Sequence, residues 1–544
     1  MTADRLDISD ALPSPSPVER SAVRTQVRGS TLLLLGRCCS LGLNLITQVI
    51  IVRALSKSGY GTLAYVVSLV EIFSMGALFA LDKTTLRYGA IYHAQKDRPR
   101  LMGALALAGL IPLVSGLALI TLLYFGRAEF QPRFALDNSS WFLLLILAWL
   151  IPTNGLACVA QSAANVVYGA KSLFWRKHLL SPLIKVVAVS VAATLGSTPE
   201  IMATALAIAG GCGLLADIWL MGCLVRDEQL GDVLAPSRWK LPWRDFLGDC
   251  LPVLATDLAY LFRGALLVIF LGWWSTPEAT ASMRAVLPVA KLNELVLLNF
   301  MAIFVPLASR LHANRETDAL WTNHRLTNLW ILTLSFPIFA GIAALAEPAT
   351  VLLFGSAYAD SAPVLILLAF AYFLQAIYGM DGHLLRVLGQ MRVLLVVDLC
   401  GSVALGLAAC ALIPRGGAAG AGAAAIIGIG LHGELRRWAL TATVRKSSSS
   451  VERRSQAFVL ATAVLVSVIA WLASPGWVLG GLLAAVASAG VMLAMRHQLD
   501  VDGTLPELRK LPGSNWWMPQ HNEATSPRHR PQNPLIQSTS GHAV

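Results

Sequence analysis

Fourteen apolar stretches, each long enough to cross a bilayer, fill this chain almost from end to end, and its Lys and Arg residues gather in alternate gaps between them. A soluble domain cannot hide that much apolar surface: 56% of the 544 residues are hydrophobic and only 13% are charged. A helix needs roughly 20 apolar residues to span about 30 Å of hydrocarbon. Backbone groups in lipid must bond within their own segment, so the stretches read as helices. The sequence predicts an all-α polytopic membrane protein whose 14 spans cover 31–52, 60–81, 102–125, 141–168, 179–195, 200–223, 250–272, 284–308, 326–346, 363–385, 393–412, 418–438, 457–473 and 477–495. The twelfth is rich in Ala and Gly, a composition that lets neighbouring helices approach closely in a membrane.

Charge placement supports an even number of crossings. With the N-terminus in the cytoplasm, and with residues at span ends counted with the adjoining connection, 32 of the 42 Lys and Arg residues fall in the tails and cytoplasmic connections. Six fall in opposite loops (Arg53, Lys57, Arg127, Arg133, Arg284 and Arg415) and four inside spans (Arg37, Lys185, Arg263 and Lys291). That bias satisfies the positive-inside rule. It places the protein in the cell inner (cytoplasmic) membrane with both termini cytoplasmic. Basic loops facing anionic lipid also account for the net charge of +11, with no nucleic-acid partner needed. Residues 1–29 and 496–544 are polar and Pro-containing and read as disordered cytoplasmic tails. All eight cysteines lie in or at the ends of spans, where they serve as small apolar packing groups.

The chain repeats itself. LDKTTLRYGAIYHAQKDRPRL after the second span answers IFVPLASRLHANRETDALW after the eighth, placing Arg87 on Arg310 at an offset of 223. LYFGRAEF answers LLFGSAYA, placing Gly126 on Gly355 at 229, and VVYGAKSLFWRK answers RVLGQMRVLL, placing Gly169 on Gly389 at 220. The organisation is therefore a six-helix lobe at 30–223, a cytoplasmic linker at 224–249, a second six-helix lobe at 250–440 and two extra helices at 441–495. Six crossings per half start both halves on the same side, which implies repeats related by an axis along the membrane normal.

No loop is large enough to be a soluble catalytic domain, and Walker, paired-His and GxSxG motifs are absent. The sequence points to a protein that is not an enzyme and that needs no metal or cofactor.

The segment VRGSTLLLLGRCCSLGLNLITQVIIVRALSKSGYGTLAYVVSLVEIFSM resembles the start of Wzx-type polysaccharide flippases, with Arg53, Ala54, Leu55, Tyr60 and Gly61 forming the turn after the first helix. LFGSAYADSAPVLILLAFAYFLQAIYG at 353–379 is similar to the matching second-half segment of that family. The resemblance runs over about 30–440. It implies the multidrug/oligosaccharidyl-lipid/polysaccharide (MOP) flippase superfamily, with two six-helix lobes around a central cavity like those of MATE and MurJ transporters. It also implies a substrate class, oligosaccharides on polyprenyl diphosphate, and pathway partners such as a glycan polymerase and glycosyltransferases. Lipid II flippases of the same superfamily share the count of fourteen helices.

Ionisable residues deep in spans are costly and so are functional candidates. Arg37 and Arg263 lie in the first helix of each half, and Lys185 and Lys291 add charge in spans 5 and 8. The guanidinium fork suits diphosphate oxygens, so these four residues are expected to line an electropositive cavity. Internal ion pairing or snorkelling is the alternative. Glu71, Glu294, Asp257 and Asp398 are the acids expected either to couple transport to an ion or to hold the cavity cations. Glu71 and Glu294 stand 223 apart, the offset of Arg87 and Arg310, and Lys291 is three residues from Glu294 on one helix face. Asp217 and Asp398 are weaker candidates, and Asp381 shares a polar face with Gln375 and Tyr378. Two other functions compete with the flippase reading. A multidrug or cation antiporter should favour carboxylates over arginines, and a membrane glycan polymerase or ligase needs a sizeable outside loop.

Overall fold

The computed structural model describes residues 17–499 except 234, 236–238, 244–247, 249, 251–253, 255–264, 445–449 and 497. All secondary structure among the described residues is helical. The first half contains α1 (Pro17–Ala54), α2 (Lys57–Leu78), α3 (Leu81–Ala94), α4 (Arg98–Phe125), the short α5 (Arg127–Arg133), α6 (Asn138–Ala148), α7 (Leu150–Tyr168), α8 (Ala170–Ser172), a π-helical segment at Leu173–Leu180, α9 (Ser181–Leu195) and α10 (Pro199–Asp227). The second contains α11 (Ala265–Trp274), α12 (Pro277–Ala290), α13 (Glu294–Ala313), α14 (Thr317–Ala344), α15 (Ala346–Phe354), α16 (Ala362–Val387) and α17 (Met391–Val444). Two further helices follow, α18 (Ser450–Ala473) and α19 (Trp477–Met495).

Short polar caps start the helices where the sequence changes from loop to apolar run. Ser56 accepts from the Gly59 N–H at 3.1 Å, and Asp97 from the Arg100 N–H at 3.2 Å. Asp137 accepts from the Ser140 N–H at 2.8 Å. The tetrapeptide Ser-Thr-Pro-Glu occurs at 197–200 and again at 275–278, and starts α10 and α12 in the same way. In each, the Thr hydroxyl caps the first turn, Pro occupies the first turn and Glu follows, the residue order that suits an N-terminus. The Asp137 carboxyl, outside the spans, is held below its usual pKa by the hydrogen bonds it accepts from Ser140.

Among the described residues, twelve helices are long and apolar enough to cross a membrane. The twelve are consistent with fourteen crossings, because α17 is two arms and the expected seventh span, 250–272, falls largely outside the described residues. Gly417 breaks α17 at φ 50°, ψ −127°, and the arms fold back on each other through glycines. A Cβ on Gly420 would sit 2.2 Å from the Leu412 carbonyl oxygen, one on Gly428 2.6 Å from the Leu405 side chain, and one on Gly401 2.7 Å from His432. The Ala/Gly composition of the twelfth span is thus the contact face of a helical hairpin. Gly420→Ala should cost about 1–3 kcal/mol by overpacking, read as a lower thermal unfolding temperature of the purified protein. Gly416→Ala, with nothing within 4 Å of the added carbon, should not.

Helix ends give a narrower offset than the loop motifs do. Lys57 and Pro277 begin the second and eighth spans 220 residues apart, and Ala94 and Ala313 end them 219 apart. Gly169 and Gly389 both take positive φ, 64° and 73°, just after α7 and α16. Gly126 and Gly355 both follow their helices, yet only Gly355 takes a positive φ, at 95°. At 219–220, Glu71 falls opposite Ala290 or Lys291 rather than Glu294.

Both matching spans are broken midway. Phe79 and Ala80 adopt left-handed φ of 50° and 56° between α2 and α3, a conformation costing of order 1–3 kcal/mol per residue. The Ala77 carbonyl near this break accepts from Ser115 of α4 at 2.8 Å. In the second half a 3-10 turn at Lys291–Asn293 separates α12 from α13. Proline packs as well as bends: a Cβ on Gly116 would lie 2.8 Å from Pro152, and one on Gly155 2.7 Å from Pro112, so α4 and α7 approach through reciprocal Gly–Pro contacts.

Two expectations change. Residues 17–29, read as tail, are the first turns of α1. Pro17 is tolerated at a helix start, and the Glu, Arg, Gln, Ala and Val that follow do not oppose helix. The eighth span begins at Pro277 rather than 284, which moves Arg284 from a loop to seven residues inside a helix. Residues 1–16 and 500–544 lie outside the described residues.

Candidate functional site

The halves meet along α2 and α12, and glycine makes the approach. A Cβ on Gly61 would fall 1.8 Å from the Pro277 carbonyl oxygen, and one on Gly272 2.3 Å from the Tyr65 ring. At the same end, Arg53 donates to the carbonyls of Leu353 at 2.9 Å and Leu352 at 2.5 Å, the last turn of α15. Those carbonyls have no partner within their own helix and carry the negative end of its dipole. Lys57 reaches the Ala357 carbonyl at 3.0 Å and the Asp360 carboxylate at 2.6 Å. This end of the seam is sealed. Lys57→Met should loosen it by about 1 kcal/mol, raising labelling of an introduced Ser275→Cys by a membrane-impermeant maleimide about fivefold in a cysteine-free background.

Below the seal a polar network crosses the seam. Arg284 of α12 pairs with Glu71 of α2 at 2.7 Å. Gln48 of α1 donates to the Arg284 carbonyl at 3.2 Å and to the Tyr60 hydroxyl. Arg284 also lies within electrostatic reach of Tyr372 of α16, and Lys185 of α9 within reach of Glu71 and Arg176. Lys291 stands 5.6 Å over the Tyr372 ring. Three cations, two from the second half and one from the first, thus surround this part of the seam.

The network continues towards the Lys/Arg-rich end. Tyr372, Gln375, Tyr378 and Arg386 recur along α16 at helical spacing, with His383 beside them. Gln375 donates to Glu294 at 3.1 Å. A cavity of about 560 Å³ opens here, lined by Lys83 of α3 and by Glu294, Gln375, His383, Arg386 and Arg436. A second space of about 650 Å³ shares His383 and Arg386 and reaches Ser309, in the last turns of α13. The seam is closed at one end and hollow at the other.

Other charged groups lock individual lobes. Asp398, which also faces the cavity, is held by His432 at 2.7 Å and by Arg436 at 2.7 Å, one arm of α17 to the other. Asp381 meets His324 at 2.9 Å and Arg437 at 3.5 Å. In the first half, Arg176 in the π-helical segment pairs with Asp217 of α10 at 2.5 Å, with side chains 8% and 1% exposed.

The candidates therefore separate. Lys185, Lys291, Glu71 and Glu294 lie at the seam or its cavity, and Asp398 is on the cavity wall inside an ion pair. Arg37 lies in α1 opposite the π-helical segment, near enough to His178 to act on its charge, and bonds to nothing among the described residues. Arg263 and Asp257 lie outside the described residues. Lys291 and Glu294 turn to different partners, the Tyr372 ring and Gln375. Sequence reasoning missed Arg284 and Arg176 by assigning both to loops. Thr276-Pro277-Glu278 was the available signal for Arg284, since it marks a helix start. Nothing in sequence marks the buried turn that carries Arg176.

No protein-family model and no curated protein matches the sequence. Solved structures do. An inward-closed lipid II flippase MurJ superposes with a TM-score of 0.65 at 12% identity, covering 86% of this chain and 99% of that one. An inward-facing multidrug-resistance MATE transporter of the MOP superfamily gives 0.59 at 14% identity, covering 76% and 96%. A MOP superfamily transporter from Pyrococcus furiosus, described as having a binding pocket of reversed polarity, gives 0.52 at 16%, covering 78% and 96%. The chain has the MOP-type fold, in a multi-pass membrane protein. Its structural neighbours are transporters and flippases.

Proposed function

We propose that this protein is a flippase that carries a polyprenyl-diphosphate-linked oligosaccharide across the cytoplasmic membrane for surface polysaccharide assembly. The observation that carries the reading is Arg284, a guanidinium set in the seam between the halves with Lys185 and Lys291 nearby. The diphosphate enters at the hollow, Lys/Arg-rich end, which the positive-inside rule makes cytoplasmic, and is held by these cations. The polyprenyl chain stays in lipid. Rocking of the halves then opens the sealed end. Moving each negative charge outward across 100 mV is downhill by about 2.3 kcal/mol.

Antiport of a cationic drug is the second reading, favoured by the MATE neighbours. It needs carboxylates available to a cation, whereas Glu71 is engaged by Arg284 and Asp398 by His432 and Arg436. Proteoliposomes containing a fluorescent polyprenyl-diphosphate oligosaccharide decide between them. Protein-dependent exchange of that lipid between leaflets supports the flippase. Export of ethidium without lipid exchange overturns it.

A further inference from the structure

We infer that Glu71 is a built-in stand-in for the substrate's anionic head: it occupies the anion seat of Arg284 across the seam and is displaced by the diphosphate, so that binding itself releases the halves. The inference rests on the flippase reading and adds a coupling device to it.

Three observations converge on Glu71. Its carboxylate makes the 2.7 Å contact that ties α2 to Arg284 of α12. Lys185 of α9 lies within electrostatic reach of the same carboxylate without pairing to it at contact distance, so Glu71 stands between Arg284 and a second cation. Finally, the Glu71 side chain is 41% exposed while Arg284 is only 21% exposed. The acid is the accessible partner, and an incoming anion can take its place.

Exchange is what the chemistry favours. Stripping a partner from a half-buried guanidinium leaves an uncompensated charge, whereas replacing one oxyanion by another does not. A diphosphate offers two phosphoryl groups to the guanidinium fork where Glu71 makes one contact through Oε1. Once Arg284 holds substrate, Glu71 no longer links α2 to α12, and the seam keeps the Gly61–Pro277 and Gly272–Tyr65 packing, the Gln48 bond to the Arg284 carbonyl and the seal, but has lost its ion pair. An empty protein is tied shut and a loaded one is free to rock. Idle cycling is thereby suppressed.

The test is binding of farnesyl diphosphate to the full-length protein in nanodiscs, compared for wild type, Glu71→Gln, Glu71→Asp and Arg284→Gln. Removing the internal competitor should tighten binding about tenfold in Glu71→Gln. Glu71→Asp, with a shorter reach, should fall between that variant and wild type and stands in for Glu71→Gln should the latter misfold. Arg284→Gln should bind at least tenfold more weakly than wild type. Wild-type binding with unchanged or weaker binding in both Glu71 variants overturns the stand-in role and leaves the flippase reading intact. No binding by any of the four removes the flippase reading itself.

Discussion

Arg284→Gln should abolish lipid exchange, lowering its rate at least about a hundredfold, while the protein still inserts and purifies as a folded species. The guanidinium is expected to make two charge-assisted bonds to the diphosphate. Each is worth about 1.5–3 kcal/mol, and losing about 3 kcal/mol exceeds a hundredfold. The fold tolerates the change because the partner left behind, Glu71, is 41% exposed and is rehydrated. Arg284→Lys should recover part of the rate, since a point charge remains without the planar fork. Exchange kinetics in proteoliposomes, normalised to inserted protein, check this. A rate for Arg284→Gln within threefold of wild type removes Arg284 from the substrate path.

Asp217→Ala should destabilise the first lobe by about 3–5 kcal/mol, the usual cost of breaking a buried pair from one side. Arg176 would then lie with its charge uncompensated, 8% exposed in the π-helical segment, and, among the described residues, with only the Gly213 carbonyl to accept from it. The measurement is the thermal unfolding midpoint of the purified protein, with the fraction lost to aggregation. A paired change, Arg176→Met with Asp217→Leu, should restore most of the loss, because apolar groups of similar size need no partner. If Asp217→Ala unfolds at the wild-type temperature, the pair is not structural and Arg176 belongs among the transport candidates. The two experiments separate kinds of buried arginine: one whose loss stops transport and one whose loss unfolds the protein.

The fold was legible because its causes are local. Apolar run length sets a span, and a glycine at 169 or 389 ends one; each needs only neighbouring residues. The site was only partly legible. Glu71, Lys185, Lys291 and Glu294 were recognisable as charges inside apolar runs, since hydrocarbon makes such residues costly wherever they point. Their partners were not. Arg284 hid behind a span boundary drawn seven residues late, and the pairing of Glu71 with Glu294 followed a loop motif rather than the helix ends.

What the chain alone determined is its medium, its helical character and the short list of buried charges, because hydrophobicity and capping act within a segment. Only the tertiary structure decided that Glu71 faces Arg284, that Arg176 is locked to Asp217, and that the seam is shut at the Arg53–Lys57 end. Each of these depends on which faces two distant helices turn to each other. That choice is made by glycine contacts such as Gly61 on Pro277, between residues more than two hundred positions apart.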